Sequence, residues 1–107
     1  MLDKAKARQI AQKYTEEVCN VLSPKSVILF GSYVTGTPHE DSDIDIAVVF
    51  NGYEGNWYDT TVLLQRLRRN IEDASGGGIE PHLLDETSDK SGFLAHVKQT
   101  GELIYSS

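Results

Sequence analysis

The segment that most constrains the fold is residues 43–50, because two kinds of side chain alternate along it. Branched apolar residues occupy the even positions from Ile44 to Val48, whereas Asp43, Asp45 and Ala47 occupy the odd positions. Successive side chains of a strand point to opposite faces, so this pattern predicts a β-strand with all its aspartates on one face. We expect the branched face to pack on the core and the opposite face to carry the chemistry of the protein.

A short apolar segment precedes the alternating one. Residues 26–30 are apolar and rich in β-branched side chains, and they stop at Gly31, which predicts a buried strand that leads into a tight turn. From Ser32 to about Thr35 we expect one short helical turn, followed by Gly36 and a polar, acidic loop. Ten residues then separate Ser32 from the first aspartate of the alternating strand.

The rest of the chain predicts helices and short strands in alternation. A helix from about Asp3 to Leu22, a helix that contains Val62 to Ile71, and a last helix that closes at Gly101 each have helical apolar spacing. Residues 79–84 predict a third strand, and residues 103–105 an edge strand. These elements predict one α/β (α+β) domain over 1–107, with a small mixed sheet of three to four strands and helices packed on it.

Charge and cysteine content narrow the classes of function. The 16 acidic against 10 basic residues give a net charge of −6, which disfavours direct nucleic-acid binding. The single cysteine, Cys19, is predicted to be a buried or half-buried structural thiol. One cysteine cannot form a disulfide within the chain, and the apolar runs are too short for a membrane span, so we expect a cytoplasmic protein. Glu40 and Asp41 are interpreted as loop acids, but with Asp43 and Asp45 they crowd four negative charges together, which favours a bound cation.

Two phosphate- or metal-binding motifs fail at identifiable positions. The glycines on either side of the predicted helical turn have P-loop spacing, but Thr37 and Pro38 stand where that motif needs a lysine and a hydroxyl. Three aspartates from Asp41 onward alternate as in an EF-hand calcium loop. There, however, Ile46 takes the place of the turning glycine and Gly52 that of the bidentate glutamate.

A third interpretation joins Gly31-Ser32 to Asp43-Ile44-Asp45 as one unit. This arrangement resembles the signature of the polymerase beta type nucleotidyltransferase superfamily, and in particular its minimal nucleotidyltransferase (MNT) branch. The resemblance extends from the leading helix to the terminal strand. It implies the polymerase beta type nucleotidyltransferase fold and a metal-dependent nucleotidyl transfer. It also implies a HEPN-domain partner, since members of this branch are often encoded beside one as a toxin and antitoxin pair.

The chemistry that the resemblance implies suits these residue types. Residues two apart on a strand have Cα atoms about 7 Å apart on one face, so Asp43 and Asp45 can converge on one or two Mg²⁺ ions, with Mn²⁺ as a substitute. Gly31 and Ser32 are the expected phosphate contacts. Family members place a third carboxylate on the next strand, where Glu80 is the candidate metal ligand and general base. Glu80 departs from the usual aspartate, and we expect Pro81 to interrupt its strand.

Several nearby residues have more than one interpretation. His82 shares the predicted strand face of Glu80, and we expect a neutral, hydrogen-bonded histidine there, with contact to a phosphate or a role in proton transfer as alternatives. Arg66 and Arg69 are predicted to lie on a solvated helical face, with triphosphate or partner binding as the alternative. Trp57 and Tyr58 could equally stack on an adenine or anchor the preceding loop.

Two hypotheses about function follow. The first is an enzyme that transfers AMP from ATP, or a nucleotide from another nucleoside triphosphate, to a hydroxyl of a HEPN-type partner protein. A chain of 107 residues has little room for both a nucleotide pocket and an acceptor site, which favours a partner chain and leaves a homo-oligomer open. The second is an antitoxin that acts as a protein-binding module, with weak or no catalysis.

Overall fold

The computed structural model describes residues 3–36, 43–75 and 78–107, and the predicted loop acids Glu40 and Asp41 lie outside the described residues. The elements follow the predicted order, with one additional 3-10 turn at Glu86–Ser88. They are α1 (Lys4–Val21), β1 (Ser26–Phe30), α2 (Ser32–Thr35), β2 (Ile44–Phe50), α3 (Trp57–Ser75), β3 (Ile79–Asp85), α4 (Phe93–Thr100) and β4 (Glu102–Ser106).

The strands form one four-stranded sheet in the order β3-β2-β1-β4. β1 is antiparallel to both β2 and β4, whereas β2 and β3 are parallel. A parallel pair needs a crossover connection, and α3 supplies it. The predicted mixed sheet with packed helices, and its α+β class, are therefore confirmed.

Both faces of the sheet are covered, and this corrects one expectation. The branched face of β2 packs with α1 and α3 in the main core, as predicted. The opposite face holds acidic side chains only at its start, because Ala47 and Val49 are fully buried in a second apolar cluster with Leu94 and Val97 of α4. Alternation in the sequence predicts which side chains share a face. The position of α4 decides how much of that face remains open.

Helix α1 begins as predicted and ends with one correction. The carboxylate of Asp3 accepts a hydrogen bond from the backbone N–H of Lys6 at 2.8 Å and caps the helix. Cys19 is exposed, so its predicted burial is wrong. In the last turns it is Val18 that faces the core, and the next helical residue is rotated from it by about 100°.

Strand β3 runs without interruption through Pro81, so the expected break at this residue is wrong. Within the described part of the chain, β3 lies at the edge of the sheet and pairs only with β2. A proline is tolerated in an edge strand where its missing N–H would face away from the partner strand. This continuity matters because Glu80 and His82 flank the proline. Among the described residues, no helix has the length and apolar character that a membrane span requires.

Candidate functional site

Gly31 forms the turn between β1 and α2 and lies directly against Asp45. Its backbone has φ 85° and ψ −156°, a conformation that is almost confined to glycine. A Cβ atom at this position would collide with Oδ2 of Asp45. The absence of a side chain at residue 31 therefore lets the carboxylate of Asp45 pack against the turn, although the two residues are far apart in sequence.

The register of the parallel strands places Glu80 beside Asp45. These two residues are Cα partners, and the pairing begins where the backbone N–H of Ile44 donates to the carbonyl of Gly78 at 2.8 Å. Partial desolvation raises the pKa of Glu80, and its hydrogen bond to Asp45 and the negative charge of that carboxylate raise it further. His82 acts in the opposite direction on the same pKa. The two carboxylates thus form a close, like-charged pair at one end of the sheet.

His82 completes a cluster of three potential ligands. Its Nε2 atom lies 3.3 Å from Oδ1 of Asp45 and 3.9 Å from Oε1 of Glu80. One ligand atom from each of these residues lies within 4.8 Å of the others. The ring meets Phe30 in a T-shaped contact with centroids 5.1 Å apart. The expected hydrogen-bonded histidine therefore has Asp45 as its neighbour, a contact that the period of the strand alone did not predict.

Asp43 and Ser32 stand at the margins of this cluster. Asp43 is exposed and immediately precedes β2, and its Oδ1 lies 2.8 Å from where a Cβ of Gly78 would stand. Its negative charge contributes to the raised pKa of Glu80, so the two carboxylates are within electrostatic reach. Ser32 is half-buried and begins α2 directly after Gly31. All five residues singled out in the sequence thus occupy the same end of the sheet.

The donor set of this end of the sheet fits a divalent cation. Carboxylate oxygens are the preferred ligands of hard ions such as Mg²⁺, and an imidazole nitrogen adds a ligand for transition metals. Burial, together with the neighbouring carboxylates of Asp45 and Asp43, raises the pKa of Glu80, so holding its charge here has a cost in free energy. A bound cation would remove that cost, with Asp43, Asp45 and Glu80 as candidate ligands.

Asp85 is a structural residue that the sequence reasoning missed. Its carboxylate accepts hydrogen bonds from the backbone N–H groups of Gly52 at 3.0 Å, Tyr53 at 2.6 Å and Thr87 at 2.8 Å, and from the Thr87 hydroxyl at 2.7 Å. The Thr87 hydroxyl and these N–H groups hold the pKa of Asp85 far below its usual range. An aspartate two residues before a threonine, at a strand end, is the signal that could have identified it.

The side chains of α3 that were weighed as nucleotide or partner contacts lie outside this cluster of ligands. Arg66 and Arg69 are exposed, as predicted for a solvated helical face. Trp57 is 46% exposed and Tyr58 75% exposed at the start of the helix. Trp57 lines a groove of about 270 Å³ together with Leu83 and Phe93, on the β3 side of the molecule.

A mixed sheet with a glycine turn after its first strand, and with carboxylates at the same end of the next two, defines a nucleotidyltransferase type of domain. Residues 6–107 match the family model described as polymerase beta, nucleotidyltransferase, and the chain belongs to this family. The resemblance to the polymerase beta type nucleotidyltransferase superfamily is thereby confirmed. A comparison with curated proteins gives no significant match.

Solved structures share the fold over nearly the whole chain. A candidate nucleotidyltransferase from Sulfolobus solfataricus is 28% identical, with 96% of this chain and 83% of that chain covered and a TM-score of 0.69. A toxin–antitoxin structure with AMP-PNP is 22% identical, with coverages of 90% and 73% and a TM-score of 0.63. A structure of a tri-AMPylated HEPN toxin in complex with MNT antitoxin, from Shewanella oneidensis, is 20% identical, with 94% of this chain and 73% of that chain covered and a TM-score of 0.55.

Proposed function

We propose that this protein is a nucleotidyltransferase that uses a divalent metal ion, Mg²⁺ or Mn²⁺, to transfer AMP from ATP to a hydroxyl of a HEPN-type partner protein. The observation that carries the proposal is that Asp45 of β2 lies against both Gly31, in the turn after β1, and Glu80 of β3. Family membership supports the reaction class. Two structures with the same fold support the nucleotide and the partner, since one contains AMP-PNP and the other an AMPylated HEPN toxin.

Each residue has a distinct proposed role. Asp43, Asp45 and Glu80 are the proposed metal ligands, and a bound divalent cation would offset the negative charge that builds on the triphosphate during transfer. Gly31 and Ser32 are the proposed phosphate contacts. A glycine allows the closest approach of a phosphate to the backbone, and the serine adds a hydroxyl donor.

Glu80 is also the proposed general base. Its pKa is raised, and its side chain is 53% exposed, so a hydroxyl from another protein can reach it. In the proposed step the acceptor oxygen forms a bond to the α-phosphorus, and the bond from that phosphorus to the β-phosphate oxygen breaks. Pyrophosphate leaves, and the hydroxyl proton passes to Glu80.

The decisive experiment combines the purified protein, a HEPN-type partner and ATP labelled in its adenylyl group, with Mg²⁺ or Mn²⁺ present. We expect label on the partner, and a loss of transfer of about a hundredfold or more in the Asp43→Asn, Asp45→Asn double variant, since metal ligands contribute several kcal/mol to the transition state. Asp59→Asn is the matched control, because Asp59 is an exposed aspartate of α3 outside the cluster.

The same variants separate the enzyme from a binding module. If the partner's toxicity is neutralised equally well by the wild type and by the double variant, without any label on the partner, the protein acts by contact and the proposed transfer is wrong. If neutralisation and label disappear together while the double variant still binds the partner, transfer is the mechanism. Partner binding is measured by size-exclusion chromatography of the mixed proteins.

A further inference from the structure

His82 brings a nitrogen ligand to a site that otherwise offers carboxylate oxygens. Its Nε2 is 3.3 Å from Oδ1 of Asp45 and 3.9 Å from Oε1 of Glu80. Ligand atoms that share one transition-metal ion at bond lengths of about 2.0–2.2 Å lie roughly 3–4 Å from one another. The two distances from His82 fall in this range, and one ligand atom from each of the three side chains lies within 4.8 Å of the others.

The imidazole is held in this position by its surroundings. His82 is the Cα partner of Ala47 on β2, and a methyl group there leaves the ring room beside the carboxylates. Phe30 contacts the ring edge-on, and Phe93 of α4 lies with its centroid 6.0 Å away. Because packing restricts the ring, little rotamer freedom remains to be lost when a ligand binds.

The tautomer of the ring decides whether the contact with Asp45 is a hydrogen bond. With the proton on Nε2, His82 donates a hydrogen bond to the carboxylate of Asp45. With the proton on Nδ1, the Nε2 lone pair faces the same space between the two carboxylates. A cation in that space would select the second tautomer, as metal-binding histidines do.

We propose that Asp45, Glu80 and His82 form a mixed nitrogen and oxygen metal position that prefers a transition-metal ion of the Mn²⁺ class to Mg²⁺. Mg²⁺ favours oxygen ligands and retains much of its water, whereas imidazole is a ligand suited to transition metals. Among the described residues, Asp43 is not a member of this group of three. Its carboxylate would therefore serve a second metal position that has only oxygen ligands. The inference rests on the proposed function, because Asp45 and Glu80 serve in both.

The test measures metal binding directly on the full chain without nucleotide. Calorimetric titration with MnCl₂ and with MgCl₂ should show Mn²⁺ binding at least tenfold more tightly in the wild type. His82→Gln should weaken Mn²⁺ binding by about tenfold or more and change Mg²⁺ binding little. A glutamine amide can still donate a hydrogen bond to Asp45, so this variant removes the metal ligand without removing that contact. His96→Gln, at an exposed histidine of α4, is the matched control.

Pulsed electron paramagnetic resonance on the Mn²⁺-loaded protein gives the second readout. A ¹⁴N coupling from a coordinated imidazole should be present in the wild type and in His96→Gln, and absent in His82→Gln. Equal affinity for the two ions in the wild type, or bound Mn²⁺ without a ¹⁴N coupling, overturns the inference.

The two proposals can fail separately. AMP transfer with Mg²⁺, combined with Mn²⁺ that shows no nitrogen coupling, removes the role of His82 and leaves the proposed function standing. A nitrogen coupling in a protein that labels no partner supports the metal position and counts against transfer.

Discussion

The turn makes two demands on Gly31, and comparing Gly31→Ala with Gly36→Ala separates them. The first demand is the backbone conformation, at φ 85° and ψ −156°. The second is space, because the new Cβ would meet Oδ2 of Asp45. Gly36→Ala is a matched control, since Gly36 also has φ 85° but a Cβ there would meet nothing within 4 Å.

The expected loss of stability is similar for the two variants. A non-glycine residue in the conformation of Gly31 costs about 1–3 kcal/mol, and one in the left-handed conformation of Gly36 costs about 1–2 kcal/mol. For a domain of this size each kcal/mol lowers the Tm by about 4–8 °C. The atom that Gly31→Ala displaces is the end of a side chain, so we expect Asp45 to move rather than the strand.

The difference between the variants should therefore appear in metal binding. Thermal unfolding is measured with and without MnCl₂, at a concentration near 100 times the dissociation constant of the wild type. At that ratio a ligand stabilises its folded protein by about 2.7 kcal/mol. The wild type and Gly36→Ala should show this gain, and Gly31→Ala should lose most of it. An equal gain in both variants would refute the reasoning that Gly31 makes room for Asp45.

Three further predictions concern stability away from the site. Asp85→Asn should speed amide hydrogen exchange in the loop after β2, because it weakens the contacts that the carboxylate makes with that loop. The pKa of Asp85 is lowered in the folded state, so the wild type should also lose stability as the pH falls below about 4, and the variant should lose less. Glu102→Gln removes ion pairs to Lys4 at 2.9 Å and Arg8 at 2.8 Å, and should lower the free energy of unfolding in urea by about 0.2–1 kcal/mol. Lys4 chiefly lowers the pKa of Glu102, so the wild type should lose this contribution as the pH falls. Tyr14→Phe removes a buried hydroxyl that donates to the carbonyl of Leu64 at 2.7 Å, and should cost about 0.5–1.5 kcal/mol in the same assay.

Local chemistry accounts for the features that were predictable from the sequence. The cap at Asp3, the turn at Gly31 and the alternation along β2 each depend on residues within a few positions of one another. The pairing of Asp45 with Glu80 does not, because a strand register between residues so far apart is set by the packing of the whole sheet. Glu80 could be named only through the family resemblance, because members of the family place a carboxylate at the corresponding position of the next strand.

The same limit explains the expectations that were wrong. A proline was expected to break β3, because the sequence does not say which strand lies at an edge. The face of β2 that holds the aspartates was expected to carry chemistry, because alternation does not say that α4 will cover it from Ala47 onward. Both errors, like the predicted burial of Cys19, concern neighbours in space that the local sequence pattern does not specify.

The boundary of the cluster under α4 explains why the candidate site lies where it does. Phe30, Asp45 and Glu80 form one row across three strands, and the next row toward the middle of the sheet holds Ile28 and Ala47 in that apolar cluster. The carboxylates therefore have apolar packing on one side and solvent on the other. Charges at such a boundary interact more strongly than charges in open water. The row that ends the core therefore has an open side, from which the proposed cation and triphosphate would enter.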